Sequence, residues 1–250
     1  YWPDHPVVRD EVANYLDAVN MLDTLAEALL EALRRDGVLE NTVVFFFGDN
    51  GRCLIRGKQW LYQPGTHVPL VVRWPGELPK GTVREDPVSI LDVTASTLAF
   101  AGIPLPPVFH GQPLFDSRPR DHVVTARDRC DMTVDRIRCV RGRRYAYIRN
   151  LMPDRPYTQF NEYIQDQYPT LGVMKELHEK GRLTPAQALF MQPRKPEVEF
   201  YDRASDPHEI HNLAASPSHR KLVAEYAGIL DRWTAETKDR GGEPETEPWS

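Results

Sequence analysis

Apolar residues recur every three or four positions between residues 10 and 36. This spacing predicts one long amphipathic helix. Its apolar face comprises Val12, Tyr15, Leu16, Val19, Leu22, Leu25, Ala26, Leu29 and Leu33. Arg34 and Arg35 fall in the predicted last turn, where cations are favourable, and Gly37 predicts the end of the helix because glycine readily adopts the left-handed conformation found there.

The next apolar run is TVVFFFGD at residues 42–49, which shows no polar alternation. Such a run predicts a buried parallel strand that is covered by helices on both faces. A second apolar run, VPLVVRWPG, follows at residues 68–76, and DPVSILDVTASTLAFAGI at residues 86–103 predicts another helix that ends at Gly102. A helix followed by a buried strand is half of a doubly wound unit, so residues 1–115 are predicted to form part of an α/β domain.

The pattern changes after a proline-rich connection at residues 103–120. Four short alternating runs then predict an antiparallel sheet with one solvent-exposed face, and Gly142 is a candidate hairpin turn. The runs are DHVVTAR, DRIRCVRG, RRYAYIRN and VEFYDR. Helices are predicted from GVMKELHEKG, TPAQALFM and the segment that Ser216-Pro217 opens. Residues 116–250 are therefore predicted to form a smaller α+β domain.

Composition and charge disfavour several classes of protein. The chain has 250 residues, 41% of them hydrophobic, and a net charge of −5, which predicts a globular protein without the basic surface that nucleic acid requires. No apolar run approaches the roughly 20 residues of a membrane span, and no signal peptide is visible. The three cysteines lack C-x-x-C spacing, which disfavours a disulfide framework and a zinc ribbon. Buried free thiols are favoured, with a Cys130–Cys139 bridge as the alternative.

Asp49, Asn50 and Gly51 directly follow the first predicted strand. Ligands of open α/β sheets collect beyond the carboxyl ends of the strands. A carboxylate beside an amide oxygen suits a hard cation such as Ca²⁺, which takes about six to eight oxygen ligands, so other segments would have to complete the site. The alternative is an ordinary turn, since Asp-Asn-Gly is common turn chemistry.

Three longer segments resemble one family. GDNGRCLIRGKQWLYQPGTHVPLVVRWPG at residues 48–76 is similar to the second half of the sulfatase active-site region. RDRCDMTVDRIRCVRGRRYAYIRN and FYDRASDPHEIHNLA look like the C-terminal subdomain of the same family. Within it, LYQPGT, the RPYTQF…YPTL region and EFYDRASDPHEIHNLA most resemble the N-sulfoglucosamine sulfohydrolases, or heparan N-sulfatases, and their bacterial relatives. The resemblance covers nearly the whole chain and implies the alkaline-phosphatase-like α/β fold.

The resemblance also implies roles for particular residues. Asp49 and Asn50 would be Ca²⁺ ligands, and Lys58 would be the cation that binds a sulfate oxygen. A compact ammonium suits that role because it neutralises charge on the sulfuryl group; the alternative is a solvated loop lysine. Sulfatases use a formylglycine made from a C/S-x-P-x-R motif, whose hydrate attacks sulfur, and no such motif occurs in this chain. The chain is therefore expected to be the C-terminal part of a sulfatase and inactive alone.

Three further residues are candidates for substrate binding. His67 stands where many sulfatases have Arg, and a structural role is its alternative. Arg127 and Arg129 follow a predicted strand, and guanidinium groups suit sulfate and carboxylate groups on a glycan; the alternative is an ion-pair network between the two domains. The motif HEIH at residues 208–211 fits a structural turn better than a metal site. Trp60 and Tyr62 are candidates for stacking on sugar rings.

The sequence therefore predicts a hydrolase of sulfated glycans, with N-sulfoglucosamine favoured over a glycan O-sulfate. Two rival hypotheses are a phosphodiesterase or phosphonate hydrolase of the same superfamily and a non-catalytic sulfoglycan-binding protein. The expected partner is the sulfated glycan or monosaccharide, and a homodimer is one option for assembly. The resemblance implies a periplasmic or secreted protein in a bacterium and a lysosomal one in an animal. An unpaired apolar sheet edge predicts poor solubility of these residues alone.

Overall fold

The computed structural model describes residues 1–115 and 118–243. Helix α1 spans Pro6–Arg35 and begins a few residues before the predicted start. The ring of His5 accepts a hydrogen bond from the amide of Val7, and a proline occupies the first turn. Gly37 has φ 72° just after the helix, as predicted.

The apolar face of α1 is only partly covered. Val8 is buried, and the carboxylate of Glu11 accepts a hydrogen bond of 2.7 Å from the amide of Thr170. Further along, the predicted apolar face is largely solvent-exposed: Leu16, Val19, Leu22, Leu25 and Leu29. The periodicity thus predicted the helix correctly, whereas packing in this chain covers mainly its first turns.

Strand β1, Val44–Phe47, pairs with β2, Leu70–Arg73, in a two-stranded antiparallel sheet. The prediction of a buried parallel strand was wrong on both counts: the pairing is antiparallel, and Phe46 and Phe47 are exposed. A parallel pair needs a crossover that returns the chain to the same end of the sheet. Here residues 48–69 fold back at one end instead, with the amide of Gly48 donating to the carbonyl of Pro69 at 3.1 Å. The loop holds only a one-turn helix, α2, Gln63–Thr66.

Helix α3 spans Leu91–Phe100, and Gly102 ends it with φ 68°, as predicted. The ring of Trp74, after β2, packs edge-on against Phe100 at a centroid distance of 4.5 Å and against Phe115 at 5.2 Å. This aromatic contact joins α3 to the two-stranded sheet.

A four-stranded antiparallel sheet follows, in the order β3-β4-β5-β6. Its strands are β3, His122–Cys130; β4, Thr133–Gly142; β5, Tyr145–Asn150; and β6, Val198–Asp202. All three pairings are antiparallel, and Gly142 ends β4 at the turn into β5. The alternating pattern therefore predicted this sheet and its hairpin correctly. The predicted solvent-exposed face was wrong, because β4, β5 and β6 are largely buried and side chains from both faces of the sheet pack in cores.

Four helices accompany this sheet. They are α4, Glu162–Gln167; α5, Pro169–Glu179; α6, Pro185–Leu189; and α7, Arg220–Thr237. Thr184 and Gln187 form a reciprocal capping box at the start of α6. Helix α7 covers one face of the sheet, where Leu230 packs with Val140, Tyr147 and Phe200. Helix α4 was absent from the sequence prediction.

The main core combines residues from both predicted domains. Ile55, Trp60, Leu61 and Tyr62 pack with side chains of the sheet and of the helices α4 and α5. The predicted boundary between residues 115 and 116 adjoins residues 116–117, which lie outside the described residues, and it stays a prediction. All three cysteines are free thiols and only Cys139 is fully buried, so the Cys130–Cys139 alternative does not apply. Across the described ranges, no helix combines the length and apolar character that a membrane crossing requires.

Candidate active site

Asp49 and Asn50 lie at the tip that follows β1, with Asp49 exposed and Asn50 partly exposed. Gly51, the next residue, is buried. A Cβ atom at Gly51 would overlap the carbonyl oxygen of Pro64 and the Cα of Gly65. Only glycine therefore allows the tip to pack against α2, and this contact fixes the backbone that carries the two oxygen-bearing side chains.

The chain then forms a compact loop that presents Lys58. The amide of Lys58 donates to the carbonyl of Arg52 at 2.9 Å, and the amide of Gly57 donates to the carbonyl of Leu54 at 2.8 Å. Arg56 and Gln59, on either side of Gly57-Lys58, have φ values of 67° and 82°. Such conformations cost roughly 1–3 kcal/mol each for residues other than glycine and persist only where the surroundings impose them.

Arg56 shows what imposes this conformation. Its buried guanidinium donates to the carbonyls of His208 and Glu209, each at 3.0 Å. It also stacks on the rings of Tyr62, at 3.9 Å from the centroid, and Tyr1, at 4.6 Å. Arg56 and Lys58 thus differ in role: Arg56 fixes the loop to the rest of the chain, and Lys58 remains partly exposed.

A buried ion pair fixes the far end of the loop. The carboxylate of Glu209 accepts a hydrogen bond of 2.6 Å from the amide of Gln63 and pairs with Arg141. Arg141 in turn donates to the carbonyl of Leu61 at 2.7 Å. Glu209 belongs to the HEIH motif, so the structure confirms the structural role that the sequence favoured for that segment.

The surroundings of Lys58 come from the second half of the chain. Its Nζ lies 4.9 Å from the ring centroid of Tyr163 on α4. Arg127 donates to the carbonyl of Gln59, the residue after Lys58, at 3.0 Å. Burial and Asp131 raise the pKa of the Cys130 thiol, while Arg127 and Lys58 oppose that shift. The predicted site residues Lys58 and Arg127 are therefore neighbours.

The remaining predicted substrate-binding residues have different environments. His67 is exposed at the end of α2, with its Nδ1 2.9 Å from the Nε2 of Gln63. Arg127 is buried and lies 3.9 Å from the carboxylate of Asp135. Arg129 is exposed, beyond a register shift in the pairing of β3 with β4. Arg127 thus connects the Lys58 loop to the sheet through a hydrogen bond, and the substrate-binding roles of Arg127, His67 and Arg129 stay predictions.

The aromatic residues predicted for this site were the wrong ones. Trp60 and Tyr62 are buried in the main core and offer no face to a sugar. Tyr163, which was not predicted, is the ring that contacts Lys58. Asn161 before Glu162 is a helix-start signal that predicts α4, but no local pattern shows that α4 meets a loop about a hundred positions earlier in the chain.

A complete metal site does not form within the described residues. In the ranges 1–115 and 118–243, no three His, Cys, Asp or Glu side chains meet in a group able to hold a metal ion. The donor atoms of Asp49 and Asn50 are oxygens at an accessible strand end, which fits a hard cation such as Ca²⁺. They would supply two of its ligands.

The chain is similar to known sulfatases. Residues 3–103 match the family model described as Sulfatase. The chain is 32% identical to an ulvan-active sulfatase of Formosa agariphila over 250 residues, which cover 99% of this chain and 42% of that protein. It is 30% identical to human N-sulphoglucosamine sulphohydrolase over 259 residues, which cover 95% of this chain and 50% of that protein. The chain thus spans half or less of the length of these relatives.

A solved structure of a 2-O GAG sulfatase superimposes with a TM-score of 0.62 at 21% identity. The superposition covers 88% of this chain and 42% of that one. At this identity the likeness concerns the fold alone, and it confirms the predicted alkaline-phosphatase-like α/β fold, of which this chain provides part.

Proposed function

This chain belongs to the sulfatase family, and on that premise we propose that the protein containing it hydrolyses sulfate groups of sulfated glycans. N-sulfoglucosamine of heparan-type chains is the group we propose as its substrate. One relative is named for N-sulphoglucosamine and another for ulvan, so the class of sulfated glycan has broader support than the individual sugar.

The observation that carries this proposal is the presentation of Lys58. The loop around it adopts two strained backbone conformations, which the contacts of Arg56 and Glu209 stabilise. A lysine presented by such a loop can bind a sulfuryl oxygen and neutralise the charge that develops on it, and Asp49 and Asn50 precede it in the same connection between β1 and β2. A solvated loop lysine needs no such support.

Membership of the sulfatase family implies Ca²⁺ and a formylglycine, and we propose that Asp49 and Asn50 contribute to the Ca²⁺ site. When bound, Ca²⁺ supplies positive charge against the sulfuryl oxygens, and the formylglycine supplies the nucleophile. The role of Lys58 is to bind an oxygen of the sulfuryl group, and the loop between β1 and β2 presents the lysine for that contact. Arg127 keeps that loop against the sheet, and Arg129 and His67, both exposed, are proposed to contact the glycan.

The test is a substrate panel with the full-length protein, produced together with a formylglycine-generating enzyme. The panel contains N-sulfoglucosamine, glucosamine 6-sulfate and bis(p-nitrophenyl) phosphate, and the release of sulfate or p-nitrophenol is measured. We expect sulfate release from the N-sulfated sugar. Release from the 6-sulfate alone would retain the family activity and reject the N-sulfated substrate. Turnover of the phosphodiester alone, with formylglycine confirmed by mass, would reject the sulfatase function.

A further inference from the structure

We infer that Tyr163 is a specificity-determining residue, whose ring receives the apolar face of the sugar that carries the sulfate bound by Lys58. This inference rests on the proposed function and extends it to the part of the substrate beyond the sulfuryl group. The occupant is a sulfated pyranose, which combines an anionic group with a flat face of C–H bonds.

The position of the ring is the first observation. The Tyr163 centroid lies 4.9 Å from the Nζ of Lys58, so a sugar whose sulfate reaches Lys58 passes beside the ring. Tyr163 is 36% exposed, and Tyr168 packs edge-on against its ring at a centroid distance of 5.7 Å. Tyr168 thus orients the ring of Tyr163 from one side, and another side of the ring is open to solvent.

The second observation is that the backbone around Tyr163 is fixed independently of its ring. Asn161 is 2% exposed; its Oδ1 accepts from the amide of Ile164 at 3.0 Å, and its Nδ2 donates to the carbonyl of Cys130 at 3.0 Å. Thr133 donates to the carbonyl of Phe160 at 2.6 Å. These bonds attach the start of α4 to the turn between β3 and β4.

This attachment leaves a second ring at the surface, because Phe160 is 68% exposed. Hydrogen bonds of Asn161 and Thr133 therefore fix a short segment that carries two solvent-accessible aromatic side chains, and one of them contacts the proposed sulfate-binding cation. Aromatic rings combine a large apolar face with little conformational entropy, and a cation beside such a ring attracts an anionic sugar to it. The positive charge of Lys58 matches the sulfate of a sulfated pyranose, and the flat ring of Tyr163 matches the apolar face of the sugar.

The experiment uses the full-length, formylglycine-containing enzyme and three variants: Tyr163→Leu, Tyr163→Phe and the remote control Leu189→Ala on α6. The KM and kcat for the sulfated sugar are measured together with the inhibition constant of inorganic sulfate, which probes Lys58 without a sugar ring. For Tyr163→Leu we expect KM to rise about tenfold, with kcat and the sulfate inhibition constant within about twofold of wild type. Tyr163→Phe and Leu189→Ala should match wild type.

Two results would overturn the inference. An unchanged KM in Tyr163→Leu would show that the sugar does not contact the ring. A parallel rise of KM and of the sulfate inhibition constant would show that Tyr163 acts by positioning Lys58. Failure of the wild-type enzyme to release sulfate from any sugar would refute the proposed function as well. That outcome appears in the wild-type enzyme, whereas failure of the inference alone appears only in the Tyr163 variants.

Discussion

Glu199 is the buried carboxylate around which the two halves of the chain meet. It is 1% exposed, and its Oε2 accepts from the hydroxyls of Tyr62 at 2.8 Å and Tyr201 at 2.6 Å. Its Oε1 accepts from Tyr157 at 2.8 Å and Asn150 at 2.7 Å. Burial and the charge of Glu199 raise the pKa of all three tyrosines, so they retain their protons and remain donors. Tyr62 belongs to the segment that follows Lys58, which couples this network to the site.

Replacing Glu199 with Gln tests this network. A glutamine amide offers one acceptor oxygen and an NH₂ group that cannot accept from a phenol, so at least one buried hydroxyl loses its partner. We expect the free energy of unfolding, measured by urea denaturation of the full-length protein, to fall by about 2–4 kcal/mol. The matched control is Glu197→Gln, an exposed position where the change should stay within about 0.5 kcal/mol. Equal stability of the two variants would refute the role of Glu199.

At the scale of elements, the loop between β1 and β2 depends on glycines that approach other backbone groups. A Cβ atom at Gly65 would overlap the carbonyl oxygens of Trp60 and Gly57, so this position requires the absence of a side chain. Gly172, within α5, has no atom within 4 Å of the corresponding position. Gly65 and Gly172 therefore allow a direct comparison of the same substitution, glycine to alanine.

We expect Gly65→Ala to displace the loop and Gly172→Ala to be tolerated. For Gly65→Ala, the free energy of unfolding should fall by about 1–3 kcal/mol, and sulfate release should slow about 100-fold because Lys58 moves out of position. Gly172→Ala should add about 0.5–1 kcal/mol, since alanine is favoured over glycine inside a helix. Kinetics and thermal unfolding of both variants provide the measurement, and a fully active Gly65→Ala enzyme would contradict the account.

The elements that the sequence predicts are those defined by local periodicity. The long helix α1, the helix α3 and the four strands of the larger sheet follow from spacings of three to four and of two. The direction of β1 does not, because it depends on how residues 48–69 return. The same holds at the site: Asp49 and Lys58 stand in one local motif, whereas Tyr163 and Glu209 reach it only through tertiary contacts.

At the scale of the whole molecule, the two halves of the chain form one connected structure around the loop that bears Lys58. Hydrogen bonds of Arg56, Arg127 and Arg141 link the loop to both the larger sheet and the turn after β6. Apolar side chains of α1 and β1 face solvent, among them Leu25 and Phe47. This chain spans half or less of the length of the relatives that it matches over nearly its whole length.

We propose that this connected structure presents Lys58 to a sulfuryl group. The most direct test compares kcat/KM for sulfate release from N-sulfoglucosamine between Lys58→Ala and the exposed control Lys80→Ala in the full-length, formylglycine-containing enzyme. We predict a loss of about 10²–10³-fold for Lys58→Ala, as expected when one charge-stabilising group is removed, and no loss for Lys80→Ala. Equal values for the two variants, with formylglycine confirmed in both, would contradict the account.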